Sequence, residues 1–312
     1  MLMSKQYTTL NTLKIGTRGS PLALAQAHEA RALLMVAHDM PEDAFEIKVI
    51  QTTGDAVQDR PLSEIGGKGL FTKEIQSELL SGGIDIAVHS LKDVANVLPD
   101  GLVLSTVLAR EDVRDAFVSL KYKSIEDLPR DATVGTSSIR RRAQLASMRP
   151  DLQLVEFRGN VQTRLRKLDE GVADATFLAC AGLQRLNRWE LANPIPIEQM
   201  LPAVAQGAIA IEQRIADDAI SAILAPINHA ESAIRVTAER AFLHVLDGSC
   251  RTPIGGLALL DGDKLEFRGE VLRPDGSRLF NGVWHGDVSD AEAIGTKAGE
   301  ALKAKAGEGF FD

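Results

Sequence analysis

From Leu13 to Ala179, short apolar runs of strand character take turns with longer runs of helical period. The strand-like stretches are LKIGT (13–17), FEIKVIQT (45–52), IDIAVH (84–89), DAFVSL (115–120), ATVGT (132–136), LQLVEF (152–157) and ATFLA (175–179). Between most of them lie PLALAQAHEARALLMVA (21–37), TKEIQSELLSG (72–82), SIRRRAQLASM (138–148) and VQTRLRKLDEG (161–171). An alternating order of this kind leaves few folds open, and it predicts parallel sheets covered by helices. The stretches VLAREDVRDAF (107–117) and NPIPIEQMLPAVAQGA (193–208) read as two crossings between lobes. After a long helix ending near Leu246, short strands at 256–260, 264–272 and 278–285 and an Ala/Lys-rich helix predict a small α+β domain. A chain of 312 residues has room for two or three such domains. Its tail, KAKAGEGFFD, is expected to fray.

Composition removes several classes of function. A net charge of −8 opposes a nucleic-acid partner, and 4% aromatic residues leave little for base stacking. The run GGKGLFTKE (66–74) fails as a nucleotide loop, because Leu62 stands where the first glycine is needed and Gly69 where Ser or Thr belongs. No apolar run approaches the roughly 18 residues that span a bilayer, and the N-terminus lacks secretory or transit character. A cytoplasmic protein without a membrane partner is expected. Only Cys180 and Cys250 are present, too few for a disulfide framework or a cysteine zinc site, and no metal is expected. Cys180, in ATFLACAGL, reads as a small hydrophobic filler. Cys250 has no apolar neighbour in LDGSCRTPIGG (246–256), and Arg251 beside it favours the nucleophilic thiolate.

Arginines gather at helix starts. Arg18 precedes a helix with Ser20 as its cap and Pro21 at its first position. Arg140, Arg141 and Arg142 fill the first turn after a cap at Ser137 or Ser138, and Arg158 and Arg164 flank a start capped by Asn160. Cations there are unfavourable by up to about 1 kcal/mol each unless an anion binds. A lone arginine is ordinarily a surface ion pair, but three such junctions argue for an anion site built from strand-to-helix turns. Successive helical residues diverge by about 100°, so two of the three arginines at 140–142 are expected to face the ligand, with Arg142 in solvent. A small ligand bearing several carboxylates fits best.

The run IDIAVHSLKDVAN (84–96) places Ser90, Lys92 and Asp93 at the carboxyl edge of the sheet, where open α/β folds bind ligands. Lys92 can form a Schiff base or contact an anion; Asp93 can act as acid and base or cap a helix. His89 lacks a partner at metal-ligand spacing and is expected in the core or behind the site.

In order, RGSPLALAQA, GGKGLFTKEI, DIAVHSLKDV, REDVRDAFVS, VGTSSIRRRAQL, FRGNVQTRLRKLDEG, AGLQRL, LPAVAQGA and GSCRTPIGG resemble the porphobilinogen deaminases, or hydroxymethylbilane synthases, over nearly the whole chain from Leu13. The resemblance implies a transferase that joins four porphobilinogen molecules head to tail with release of ammonia, giving the linear tetrapyrrole hydroxymethylbilane. It implies priming by a dipyrromethane cofactor held through a thioether at Cys250, and a catalytic carboxylate at Asp93. Cofactor and substrate carboxylates would be bound by Arg18, Ser20, Ser90, Lys92, Ser138, Arg140, Arg141, Arg158, Arg164 and Arg185. Residues 55–70 would form a mobile lid with Lys68 reaching the cleft.

The fold so implied has three α/β domains. Two are lobes like those of periplasmic binding proteins, at 12–108 with 208–226 and at 109–207. A small C-terminal α+β domain at 227–312 carries the cofactor loop. A monomer in the cytoplasm, acting on a small molecule in tetrapyrrole biosynthesis, is the expected state. Two departures from the family stand out: Glu64, where lysine is frequent, and Ala205 in place of the usual glycine. A non-enzymatic two-lobed carboxylate-binding protein would explain the arginines but leave Cys250 and Asp93 idle. A cysteine hydrolase pairing Cys250 with His244 would lack an oxyanion motif and a third triad member.

Overall fold

The computed structural model describes residues 12–56, 69–247 and 252–311. Along the chain run β1 (Leu13–Thr17), α1 (Pro21–His38), β2 (Phe45–Val49), α2 (Lys73–Leu80), β3 (Ile86–Ser90) and β4 (Leu102–Val107). Next come β5 (Asp115–Val118), β6 (Thr133–Gly135), α3 (Ile139–Met148), β7 (Gln153–Val155), α4 (Val161–Asp169), β8 (Ala175–Ala179), α5 (Cys180–Arg185) and β9 (Asn193–Pro194). The last part holds β10 (Ile209–Arg214), α6 (Asp218–Leu224), α7 (Ala230–Val245), β11 (Ile254–Asp261), β12 (Lys264–Leu272), β13 (Leu279–Asp287) and α8 (Ala291–Ala306). Among the described residues no helix is long and apolar enough to cross a membrane.

Two compact units divide these elements. The first comprises the described residues up to 56, 69–110 and 208–233. Its sheet has the order β2-β1-β3-β10-β4. Strands β1, β2 and β3 are parallel, whereas β10 runs antiparallel to both its neighbours. Leu13, Ile15, Ile86, Val88, Ile209 and Ile211 bury their side chains against Ala27, Ala30 and Leu34 of α1 and Ile220 and Leu224 of α6. Each large aliphatic side chain so buried contributes about 1.5–3 kcal/mol. Ser20 caps α1 by accepting from the Ala23 N–H at 3.3 Å, with Pro21 in its first turn, as its sequence predicts.

The second unit takes in 111–207 and the described residues from 234 onward. Its larger sheet has the order β7-β6-β8-β5-β9, the same pattern as the first: three parallel strands, then one antiparallel strand inserted before the edge. Both sheets are therefore mixed, not parallel as the alternation alone predicts. The strands that break the rule, β5 and β10, lie just after two of the points where the chain changes unit, and they enter their sheets in the opposite sense. Phe117, Val134 and Phe177 pack on one side of the second sheet, and Ala116, Val118 and Leu178 on the other. Burial on both faces explains why these strands read as continuous apolar runs.

Strand β7 ends two residues before the apolar run does, because Phe157 leaves the sheet. Its N–H donates to Ser137 Oγ at 3.2 Å, and its ring covers Gly135, where a Cβ would lie 2.3 Å from the ring.

The remaining sheet, β11-β12-β13, is antiparallel throughout and packs against α8. Phe242 of α7 packs at a tilt against Phe267, with ring centroids 4.9 Å apart. Helices α7 and α8 meet closely at Gly295, where a Cβ would stand 2.0 Å from the Ala238 carbonyl oxygen. The chain end does not fray through residue 311: Phe310 is 3% exposed and packs on Phe280, with ring centroids 5.5 Å apart. An aromatic pair outweighs the loose Gly and Lys composition of the tail.

Ala205 adopts φ +60°, in the left-handed region where a Cβ costs roughly 1–2 kcal/mol. Buried Glu239 holds it there, accepting from Ala205 N–H at 2.6 Å and from Ala258 N–H at 2.9 Å. The departure from glycine thus falls on a position whose backbone favours glycine.

Candidate active site

In the first unit, β3 leads directly into a single 3-10 turn, Leu91–Asp93. Three contacts hold its base. Ser90 and Gln26 exchange side-chain hydrogen bonds at 2.8 and 3.0 Å, the Leu91 N–H donates to Ala208 O at 3.0 Å, and the Leu91 side chain is buried. Lys92 is exposed and Asp93 half-buried. Asp93 closes the turn instead of opening a helix, so the capping role that its sequence allowed has no helix to serve.

Arg18 grips Asp55 through Nε at 3.0 Å and through Nη2, while its guanidinium lies over the Phe71 ring, 4.2 Å from the centroid. Burial opposes its charge, but the Asp55 hydrogen bonds and the nearby Asp93 and Asp55 carboxylates outweigh it and keep Arg18 above its ordinary pKa. Arg18 and Asp93 are therefore close enough to interact electrostatically.

In the second unit Ser138 caps α3 by accepting from Arg141 N–H at 3.4 Å. Arg140 and Arg141 are 5% and 6% exposed and converge on Asp115, which opens β5 and is wholly buried. Arg141 donates to Asp115 Oδ1 from Nε at 3.0 Å and Nη2 at 2.6 Å, and to Phe177 O from Nη1 at 2.9 Å. Arg140 Nη2 lies 2.8 Å from Asp115 Oδ2, and its Nη1 donates to Leu201 O and Gln144 Oε1. Gln206 adds a further donor to Asp115 at 3.0 Å. Burial alone would raise the Asp115 carboxyl; the two guanidinia and the hydrogen bonds overcome this and hold it far below the usual range.

The anion that the crowded helix start requires is thus partly internal. Sequence reasoning missed it, although an acid opening the apolar strand Asp115–Val118 was a usable signal. Arg142 is half-buried, not left to solvent.

Asn160 caps α4 as expected, accepting from Thr163 N–H at 2.9 Å. One turn along, Arg164 donates to Gly159 O at 2.9 Å and to Phe177 O at 3.4 Å. Desolvation above all, then the Arg141 guanidinium and, against an opposing Glu156, Arg158, bring its pKa down to about 10. Arg185 donates to Gly207 O at 3.2 Å. The structure therefore gathers Arg140, Arg141, Arg158 and Arg164 into one electropositive region, and sets Arg18 beside Asp93 in another. Lys68 and Cys250 lie outside the described residues, as do Glu64 and most of the segment 55–70.

Cys180 is fully buried in the second unit's core. Burial above all, with Asp112 next, pushes its thiol up to about 12, which suits filler and not nucleophile.

Two sheets of one topology, each with arginine at a strand-to-helix turn, define a two-lobed α/β protein. Residues 13–222 match the family model described as "Porphobilinogen deaminase, dipyromethane cofactor binding domain", and residues 233–304 match "Porphobilinogen deaminase, C-terminal domain". The chain belongs to the porphobilinogen deaminase family. It is 59% identical over 311 residues to the porphobilinogen deaminase of Paracoccus denitrificans, covering 99% of each chain. To that of Nitrobacter winogradskyi it is 54% identical over 298 residues, 95% of this chain and 94% of the other. Among solved structures, a periplasmic substrate-binding protein of an ABC transporter from Coxiella burnetii matches 71% of this chain and 94% of its own, at 12% identity and a TM-score of 0.44.

Proposed function

We propose that the chain condenses four porphobilinogen molecules head to tail to give hydroxymethylbilane, as a monomeric cytoplasmic enzyme of tetrapyrrole biosynthesis that needs no nucleic acid. The family match running through both the cofactor-binding and C-terminal regions carries this reading. The division into domains at 12–108 with 208–226, 109–207 and 227–312 belongs to the same proposal.

The electropositive region suits the cofactor. Arg164, desolvated and facing two further guanidinia, has its charge disfavoured until an anion arrives, and a dipyrromethane carries an acetate and a propionate on each ring. Arg158, Arg164 and Arg185 are assigned to those carboxylates. Arg140 and Arg141, their donors largely engaged with Asp115 and carbonyl oxygens, form the inner wall of the same site. Ser138 belongs there as the cap of the helix that presents them. Cys250 is assigned the thioether and Lys68 a contact with the growing chain. Bound dipyrromethane supplies the pyrrole on which elongation starts.

In each elongation the aminomethyl group of porphobilinogen leaves in its protonated form: the C–N bond breaks, its electron pair stays with the nitrogen, and ammonia departs. A C–C bond then forms, and the attacked ring carbon gives up one proton. Asp93, just past the carboxyl end of the central strand β3, accepts pyrrole N–H bonds and stabilises the positive charge that spreads over the ring. Arg18, Ser90 and Lys92 neighbour it, and together with Ser20 they are assigned to substrate carboxylates; Ser90 does so from its hydrogen bonds with Gln26. A non-enzymatic carboxylate binder gains no support from the family match.

Thiol counting with intact mass tests the covalent assignment. Protein from a pyrrole-competent host is expected to exceed its sequence mass by one dipyrromethane. It should show no reactive thiol when native, since Cys180 is buried, and one thiol when unfolded. Two thiols on unfolding a preparation that makes bilane in its native form would refute the attachment.

A further inference from the structure

His89 has no part in the chemistry above, yet it is held with unusual care. Its side chain is 4% exposed, with Nε2 3.0 Å from Oε2 of Glu212, which is 0% exposed. Gln76 of α2 donates to the other carboxylate oxygen at 2.9 Å. Both oxygens of Glu212 are therefore hydrogen-bonded, one to His89 Nε2 and one to the Gln76 amide. A carboxylate taken wholly out of water costs several kcal/mol unless its partners are well placed. The residues that face them across the sheet, Ala210 opposite His89 and Ala87 opposite Glu212, are apolar, so a polar trio here does something that an apolar one would not.

Sheet register shows what that is. Strand β10 sets Ile209 opposite Ser90, Ala210 opposite His89 and Glu212 opposite Ala87. Opposed residues share a face, and so do residues two apart, so Glu212 reaches His89 along the diagonal. On the other edge of β10, its register with β4 shifts between Ile211 and Glu212, an irregularity of the kind that re-aims a side chain. Apolar contacts between β3 and β10 would tolerate a slip of two residues, because the same faces stay inward; a specific hydrogen-bonded pair tolerates one register only. The start of β10 also carries the Asp93 turn, through the bond from Leu91 N–H to Ala208 O at 3.0 Å and the pairing of Ser90 with Ile209.

We propose that the His89–Glu212 pair, backed by Gln76, is a positioning device: by fixing β10 against β3 it fixes where the Asp93 carboxylate stands. The inference rests on the reading of Asp93 as the catalytic carboxylate.

Steady-state kinetics on cofactor-loaded enzyme tests it with His89→Leu, His89→Gln and Asp93→Asn in parallel. His89→Leu is expected to lower kcat by roughly 10–100-fold with KM nearly unchanged, the size of loss that a misplacement of about 1 Å produces. His89→Gln, whose amide can still donate to Glu212, is expected to recover most of that loss. If the Leu variant does not accumulate as folded protein, His89→Asn, polar but too short to reach Glu212, takes its place with the same expected loss. A normal kcat in the Leu or Asn variant, a loss no larger than the unfolded fraction seen by circular dichroism, or a Gln variant as impaired as the others overturns the proposal. Inactive Asp93→Asn beside normal His89→Leu defeats the positioning role alone. Active Asp93→Asn removes its premise as well.

Discussion

Replacing Asp93 with Asn will lower kcat by about 10²–10⁴-fold, the usual worth of a positioned acid–base group. The side chain keeps its size and its place at the end of the Leu91–Asp93 turn, but loses the charge that stabilises a cationic ring. Because Asp93 is half-buried and the turn is anchored through Ser90 and Leu91, thermal stability should change little. Arg18 retains Asp55, so binding of substrate carboxylates should survive and KM should move far less than kcat. Mass spectrometry of enzyme mixed with a few equivalents of porphobilinogen supplies the check: a stalled or absent ladder of added pyrroles is expected. A ladder that advances at the normal rate would end the assignment.

Asp115→Asn is expected to produce the largest loss of stability, roughly 3–5 kcal/mol, because it strips the anion from between two buried guanidinia. The native carboxyl lies far below its unfolded value of about 3.9. A depressed pKa of this sign contributes stability that is complete above the unfolded value and fades as pH falls below it through the folded one. The gap between wild type and variant should therefore be full at neutral pH and narrow once the pH drops below about 4. Urea unfolding of both proteins at neutral pH and near pH 3 measures it; a gap that is absent, or that widens in acid, would contradict the ion-pair account.

Much of the fold was legible. Caps at Ser20, Ser138 and Asn160 fell where residue type demands, and the strand-like runs form strands, because each signal is local. What escaped was non-local. Nothing in DAFVSL or in the run 209–214 announces an antiparallel entry into a sheet begun elsewhere, since strand direction is set by which partner the chain meets. The candidate site divides the same way. Asp93 and the helix-start arginines could be singled out from type and position, whereas the buried counter-ion Asp115 lies 25 residues from Arg140 and Glu212 lies 123 from His89, separations that no window of sequence spans. The tail was misjudged because Gly and Lys content says nothing of a pocket waiting for Phe310.

Strand β10 has one more effect, on synthesis. It lies between β3 and β4, yet more than a hundred residues separate it from β4 in the chain. As the nascent polypeptide leaves the ribosome, the earlier strands must wait with a gap between β3 and β4 until Ile209–Arg214 emerges. Residues 111–207 can by then have closed a sheet of their own. A truncated product ending near Arg110 should accordingly be an aggregation hazard and not a small stable lobe.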